Sequence, residues 1–192
     1  MGSEANLLSI SRRQLLRGTG AWGVTGCAGW TLGAQAAVLM DLEQAQRLLW
    51  AHAERFLPVA LSLGDRDLAI IARHSDTRVP TPFSPRVWEV LGAGKRQGWL
   101  VTDRVIGKYD WIDYAVGFEI DGVVTGVEIL AYRESHGGDI RQAGWRRQFK
   151  GRKGPQAMRF ADEIKNILGA TLSCQHVTEG VQRLSALVGL IT

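Results

Sequence analysis

Two runs of alternating apolar residues meet at Asp121-Gly122, and this juncture constrains the fold more than any other feature of the chain. IDYAVGFEI puts Tyr114, Val116, Phe118 and Ile120 on one face, and VVTGVEILAY puts Val127, Ile129 and Ala131 on one face. A period of two marks half-buried strand. Asp-Gly between such runs is the strongest short-range hairpin signal, because the tight turn asks for positive φ at both positions. Upstream, RVWEVL from Arg86 and GWLVTDRVIG from Gly98 read as two further strands. The expected centre is therefore an antiparallel β-meander of about four strands. Trp88, Trp99 and Trp111 lie on or beside those strands and are expected to pack in the core.

Helical spacing appears on both sides of the meander, which makes the expected class α+β. Asp41 to Phe56 places Leu42, Ala45, Leu49, Ala53 and Phe56 on one stripe, with Asp41 as N-cap. Asp65 to Arg73 suits helix or strand. HSDTRVPTPFSP, His74 to Pro85, holds three prolines and reads as an extended connector. Near the end, Pro155 to Leu168 is expected to be a helix with Met158, Ala161, Ile164 and Leu168 inward. A last helix from about Ser173 places Val177, Val181, Leu184 and Val188 on one stripe.

The first segment reads as an address. SISRRQLLRG carries Arg12 and Arg13, no charge follows from Gly18 to Met40, and Ala34-Gln35-Ala36 offers a small-residue cleavage site. The arginine pair fits a twin-arginine export signal. Val24-Thr25-Gly26-Cys27 resembles a lipobox, and the uncharged stretch is just long enough to anchor in a bilayer. Cleavage, lipidation and retention all place the body outside the cytoplasm, in the periplasm or on the outer face of the membrane. The expected organisation is 1–36 signal or anchor, 37–85 helical region and connector, and 86–192 the main domain. The formal charge is +4, and half of it sits in that first segment. The nearly balanced body is no nucleic-acid footprint. Cleavage after Ala36 leaves Cys174 alone, without a disulfide partner, as a small packed residue.

Three stretches carry possible chemistry. In YRESHGGDI, Gly137-Gly138 permits close backbone approach, with Glu134 and His136 beside it. Too few ligands surround them for a metal. In GWRRQFKGRKG, five cations alternate with Trp145 and Phe149. That pattern suits nucleic-acid binding, a solvated basic face, or a positive border for a phosphate-bearing ligand. In LGATLSCQHVTEGV, Ser173 is a good N-cap, and Thr171 then precedes the helix beside its positive end, where backbone N–H groups attract anions. Gly169 and Ala170 keep that approach open.

Taken together, GKYDWIDYAVGFEIDGVVTGVEILAYRESHGGDI, QFKG and GATLSCQHVTEGV resemble the FMN-binding domain family over roughly Val87 to Val188. That family includes the flavin-carrying subunits of the sodium-pumping NADH:quinone oxidoreductase and the Rnf complex, and small exported stand-alone members, which this chain looks most like. The resemblance implies FMN held by a phosphoester to the hydroxyl of Thr171, made by a separate flavin transferase. It implies that Glu134, His136, Gly137 and Gly138 lie against the flavin ring, that Gln148 and Phe149 close the other side, and that Leu172 and Ser173 lie near ring and phosphate. The chain departs from the family pattern at Leu168, where Ser is usual, and at Lys165, where an acidic residue is usual. The function so implied is an electron relay between a membrane-bound donor and an extracytoplasmic redox acceptor. A reversible FMN-dependent reductase and a cofactor-free binding module with a basic surface are the competing readings.

Overall fold

The computed structural model describes residues 37–192; the export-segment reading falls outside them. One six-stranded antiparallel sheet organises the described chain, in the order β1-β6-β5-β4-β3-β2. The strands are β1 (Ala37–Val38), β2 (Arg55–Val59), β3 (Arg86–Gly92), β4 (Lys95–Ile106), β5 (Trp111–Glu119) and β6 (Val124–Tyr132). The α+β expectation holds, and the meander β3 to β6 is its centre. β1 and β2 extend the sheet at its two edges. Pro58 lies in the edge strand β2, where a missing N–H is tolerated.

The turns differ from the expected pattern. Gly122 has φ 85° and Asp121 is not left-handed. Glu119 N–H donates to Val123 O (2.7 Å) and Gly122 N–H to Glu119 O (2.8 Å), so the loop has three residues and a bulge glycine. Ile120 consequently leaves the strand face and is exposed. The turn with two left-handed residues is Ala93-Gly94 between β3 and β4, with φ 50° and 70°. An alanine at that position hides the turn from a sequence reader.

Helices cover both faces. α1 (Leu42–Leu49) begins with a capping box, Asp41 Oδ1 accepting from Gln44 N–H (2.8 Å) and Gln44 Oε1 from Asp41 N–H (3.0 Å). It ends at Leu49, short of the expected Phe56, because Phe56 is needed in β2 opposite Val90. Leu49 and Trp50 sit on a shelf of Gly98, Gly117 and Gly126. A Cβ on Gly98 would fall 2.0 Å from Phe118 O and 2.8 Å from the Trp50 ring. α2 (Asp65–Ser75) resolves the helix-or-strand alternative as helix.

α4 (Thr171–Ile191) lies on the opposite sheet face, against β4, β5 and α2. Its stripe is as expected: Val177, Val181, Leu184 and Val188 are fully buried, each contributing about 1.5–3 kcal/mol. Gly180 lets the Tyr114 hydroxyl reach the helix backbone. Trp88 and Trp99 are buried as expected, whereas Trp111 is 44% exposed. Among the described residues no helix is long and apolar enough to cross a membrane.

The expected helix over 155–168 does not form. Only a 3₁₀ turn, Pro155–Met158, is present, and Leu168 is 96% exposed. Side chains take the backbone groups a helix would use. Arg152 donates to Ala157 O (2.5 Å) and Glu163 O (3.0 Å), and Gln148 pairs with Lys165 through its Oε1 (2.8 Å) and Nε2 (3.2 Å). Ala161 also has φ 67°, which no α-helix admits.

The glycine shelf generates a prediction. Gly98→Ala is expected to destabilise the fold by about 1–3 kcal/mol through overpacking. Gly144→Ala, whose Cβ meets nothing within 4 Å, is expected to stay near wild type. Urea denaturation followed by tryptophan fluorescence compares the two.

Candidate functional site

The site forms where the end of β6, the glycine loop after it and the start of α4 converge. α4 starts at Thr171, earlier than the Ser173 expected from capping chemistry. The N-cap is Ala170, which supplies no side-chain acceptor. Thr171 is thus the first helical residue rather than a residue ahead of the helix. The N–H groups of residues 171–173 are left without intrahelical partners, at the positive end of a long helix. Thr171 is exposed, and its Oγ1 accepts from Asn166 Nδ2 (3.3 Å). Gly169, with φ 85°, has open space where a Cβ would stand.

Ser173 does not cap because its hydroxyl is engaged elsewhere. Tyr132, the last residue of β6, donates its phenol proton to His136 O. Ser173 Oγ lies 3.2 Å from the Tyr132 phenol oxygen and, since that phenol proton is already given to His136, is the donor to it. Burial raises the Tyr132 pKa, which keeps the phenol protonated for this role. Gly137, with φ 78°, fits into the space that remains. A Cβ there would come within 2.9 Å of the Tyr132 hydroxyl, 3.3 Å of Ser173 Oγ and 3.4 Å of Ala170 Cα. The glycine loop and the GATLS element, far apart in sequence, are thereby brought into contact.

The other expected residues divide by location. Glu134 Oε1 accepts from Tyr109 N–H (2.6 Å) and Asp110 N–H (3.0 Å), so the carboxylate fastens the turn between β4 and β5. His136 is exposed, its Nδ1 2.9 Å from Ser135 Oγ. Gly138 opens a 3₁₀ turn whose Arg141 donates to Gly138 O (2.8 Å) and stands over the Tyr132 ring at 5.7 Å. Leu172 is 42% exposed on the first turn of α4. Gln148 and Trp145 both bind the Lys165 backbone, Trp145 Nε1 to O at 2.9 Å, and so anchor the segment leading to Thr171. Phe149 is fully buried and packs edge-on against Trp145, with ring centroids 5.2 Å apart. It supports that segment from inside and presents no surface to a ligand.

The basic run divides: Arg147, Lys150 and Lys153 are exposed, while Arg146 and Arg152 are half-buried and bonded into the fold. Arg146 pairs with Glu128 and donates to Val127 O (3.0 Å), Arg152 pairs with Glu163 (3.1 Å), and Lys153 pairs with Asp121 (3.1 Å). Cys174 is buried, and burial raises its pKa, so it remains a packed thiol. Among the described residues no cluster of His, Cys, Asp or Glu could hold a metal. Sequence reasoning missed Tyr132, Asn166 and Arg141. Only Tyr132 had a signal, being a polar aromatic at the end of a buried strand face.

Residues 107–186 match the family model described as the FMN-binding domain. This segment is an FMN-binding domain. Its cofactor is FMN, and the chain's residues fit it: free N–H groups and an open Thr171 hydroxyl suit the phosphate, and the Gly137 cradle leaves the approach clear. The matched segment begins at the β4–β5 turn, and β4 pairs with β5 along Gly98 to Ile106, so the sheet runs unbroken beyond the segment's start. A crystal structure of Shewanella oneidensis NqrC is similar, with a TM-score of 0.47 and 21% identity over 74% of this chain and 70% of that one. No curated protein matches.

The FMN-binding domain should therefore be sensitive at the phenol. Tyr132→Phe is expected to lose about 1 kcal/mol of stability by deleting the bonds to His136 and Ser173. Gly137→Val is expected to cost more, from both its φ and its clash, and to prevent flavin retention. Chemical denaturation and flavin absorbance of the purified variants check both.

Proposed function

We propose that this chain is an extracytoplasmic flavoprotein that carries FMN on Thr171 through a phosphoester and relays electrons between a membrane-bound donor and an extracytoplasmic redox acceptor. The observation that carries the reading is the exposed Thr171 hydroxyl at the first position of an uncapped helix. A helix N-terminus of this kind attracts a phosphate group through free N–H donors and its dipole. A hydroxyl located there is in position to be esterified by a flavin transferase. Asn166 holds the threonine oxygen, while Gln148 and Trp145 hold the segment that presents it.

The flavin ring supplies the electron-accepting chemistry, and the protein supplies binding, orientation and electrostatics. Tyr132 fixes the distance between the Gly137 loop and α4. Glu134 fixes the Tyr109 turn beside that loop. Leu172 offers an apolar contact on the exposed side. Covalent attachment suits a protein working outside the cytoplasm, because a flavin released there is not replaced. The twin-arginine pair of the first segment supports that location.

The test is in-gel fluorescence after co-expression with a flavin transferase. The wild-type chain is expected to give a fluorescent band under denaturing conditions, and its mass to rise by one FMN less one water. Thr171→Ala is expected to lose both signals, and Thr171→Ser to keep them. A yellow native protein with no fluorescent denatured band would show that FMN is held reversibly instead.

A further inference from the structure

A groove of about 1120 Å³ runs beside α4, bounded by the proline-rich connector after Arg78, the ends of β4 and β5, and the helix residues His176, Glu179 and Arg183. It is the place where a buried charge cluster unrelated to the flavin residues reaches the surface. Arg183 is 5% exposed and donates from Nη1 to Arg78 O (3.2 Å), but its Nε is buried without any partner. A buried guanidinium donor left unpaired is costly, and its position on a groove points to a ligand acceptor.

The neighbouring carboxylates do not supply that acceptor. Asp103 lies beneath the same helix and accepts from the Tyr114 hydroxyl (3.2 Å). Burial raises the Asp103 pKa, which weakens it as a counter-ion. Glu179 accepts from Gln175 Nε2 (2.8 Å). Asp113 is occupied by Arg104 (3.4 Å) and Arg133 (2.7 Å). The groove thus holds a surplus of arginine, with Arg78 at its exposed rim. Apolar side chains join these groups in the lining: Ile106 is 50% and Trp111 44% exposed, and Pro80 and Pro82 belong to the same groove. Convergent polar groups, an apolar lining and a buried group of perturbed ionisation are together the mark of a small-molecule site.

We infer that this groove binds a small organic carboxylate, its charge held by Arg183 and Arg78 and its apolar body lying against Trp111 and Ile106. The class follows from the chemistry of the walls. A planar guanidinium pairs with a planar carboxylate, and the apolar side chains beside it suit an organic body. The site is separate from Thr171 and does not depend on the flavin being attached.

Titration calorimetry with benzoate as probe, and benzamide as its neutral counterpart, tests the assignment on the full chain with and without flavin. Saturable one-to-one benzoate binding is expected, with benzamide inert. Arg78→Gln and Arg183→Lys are each expected to weaken it by about threefold to tenfold. Asp103→Asn, which keeps an acceptor for Tyr114, is expected to tighten it. Circular dichroism confirms that each variant is folded, and Arg78→Gln, at an exposed position, remains informative should a buried variant fail. Absence of saturable benzoate binding, equal binding of benzamide, or wild-type affinity in both arginine variants overturns the proposal.

Discussion

One phenol oxygen determines where the functional end of this protein lies. Tyr132 closes β6 and holds both the His136 carbonyl and the Ser173 hydroxyl. Hydrophobic packing fixes most of α4, since Val177, Val181, Leu184 and Val188 leave little freedom on the sheet. Packing of that kind is non-directional and does not define the helix end to within a hydrogen bond. The Tyr132–Ser173 contact does, and it brings the Gly137 backbone close enough that no side chain fits between.

That same contact explains an otherwise unfavourable feature. A serine near a helix start ordinarily accepts from the first-turn N–H groups and stabilises the helix by about 1 kcal/mol. Here Ser173 is turned inward and Ala170 occupies the cap, so the first turn keeps its donors free. The helix gives up local stability and retains an anion-attracting end. Capping and phosphate binding compete for the same N–H groups, and the placement of Ser173 decides the competition.

The strands were legible because alternation survives in any context where one face is buried: Tyr114, Val116 and Phe118 are all core. The GATLS and ESHGG elements were legible as a pair through their family resemblance, and the fold brings them into contact. Two misreadings share a physical cause. The apparent helix over 155–168 and the cap at Ser173 fail because side chains distant in sequence claim groups that local rules assign locally. Arg152 takes carbonyls, and Tyr132 takes a hydroxyl. No periodicity or propensity encodes such partners, which exist only once the sheet has formed. The Ala93-Gly94 turn was hidden differently, by a residue rarely left-handed.

α4 also sets how the two candidate sites relate. Thr171 and Arg183 lie on one uninterrupted helix, and twelve residues at about 1.5 Å each separate them by about 18 Å along its axis. A ligand held at Arg183 therefore does not share donors with a phosphate at Thr171. His176 lies between them, its Nδ1 2.7 Å from Ile106 O and 3.1 Å from Gly107 O. Because it is bonded to the turn that Glu134 also fastens, the groove wall at Ile106 and the loop beside the proposed flavin site belong to one hydrogen-bonded unit.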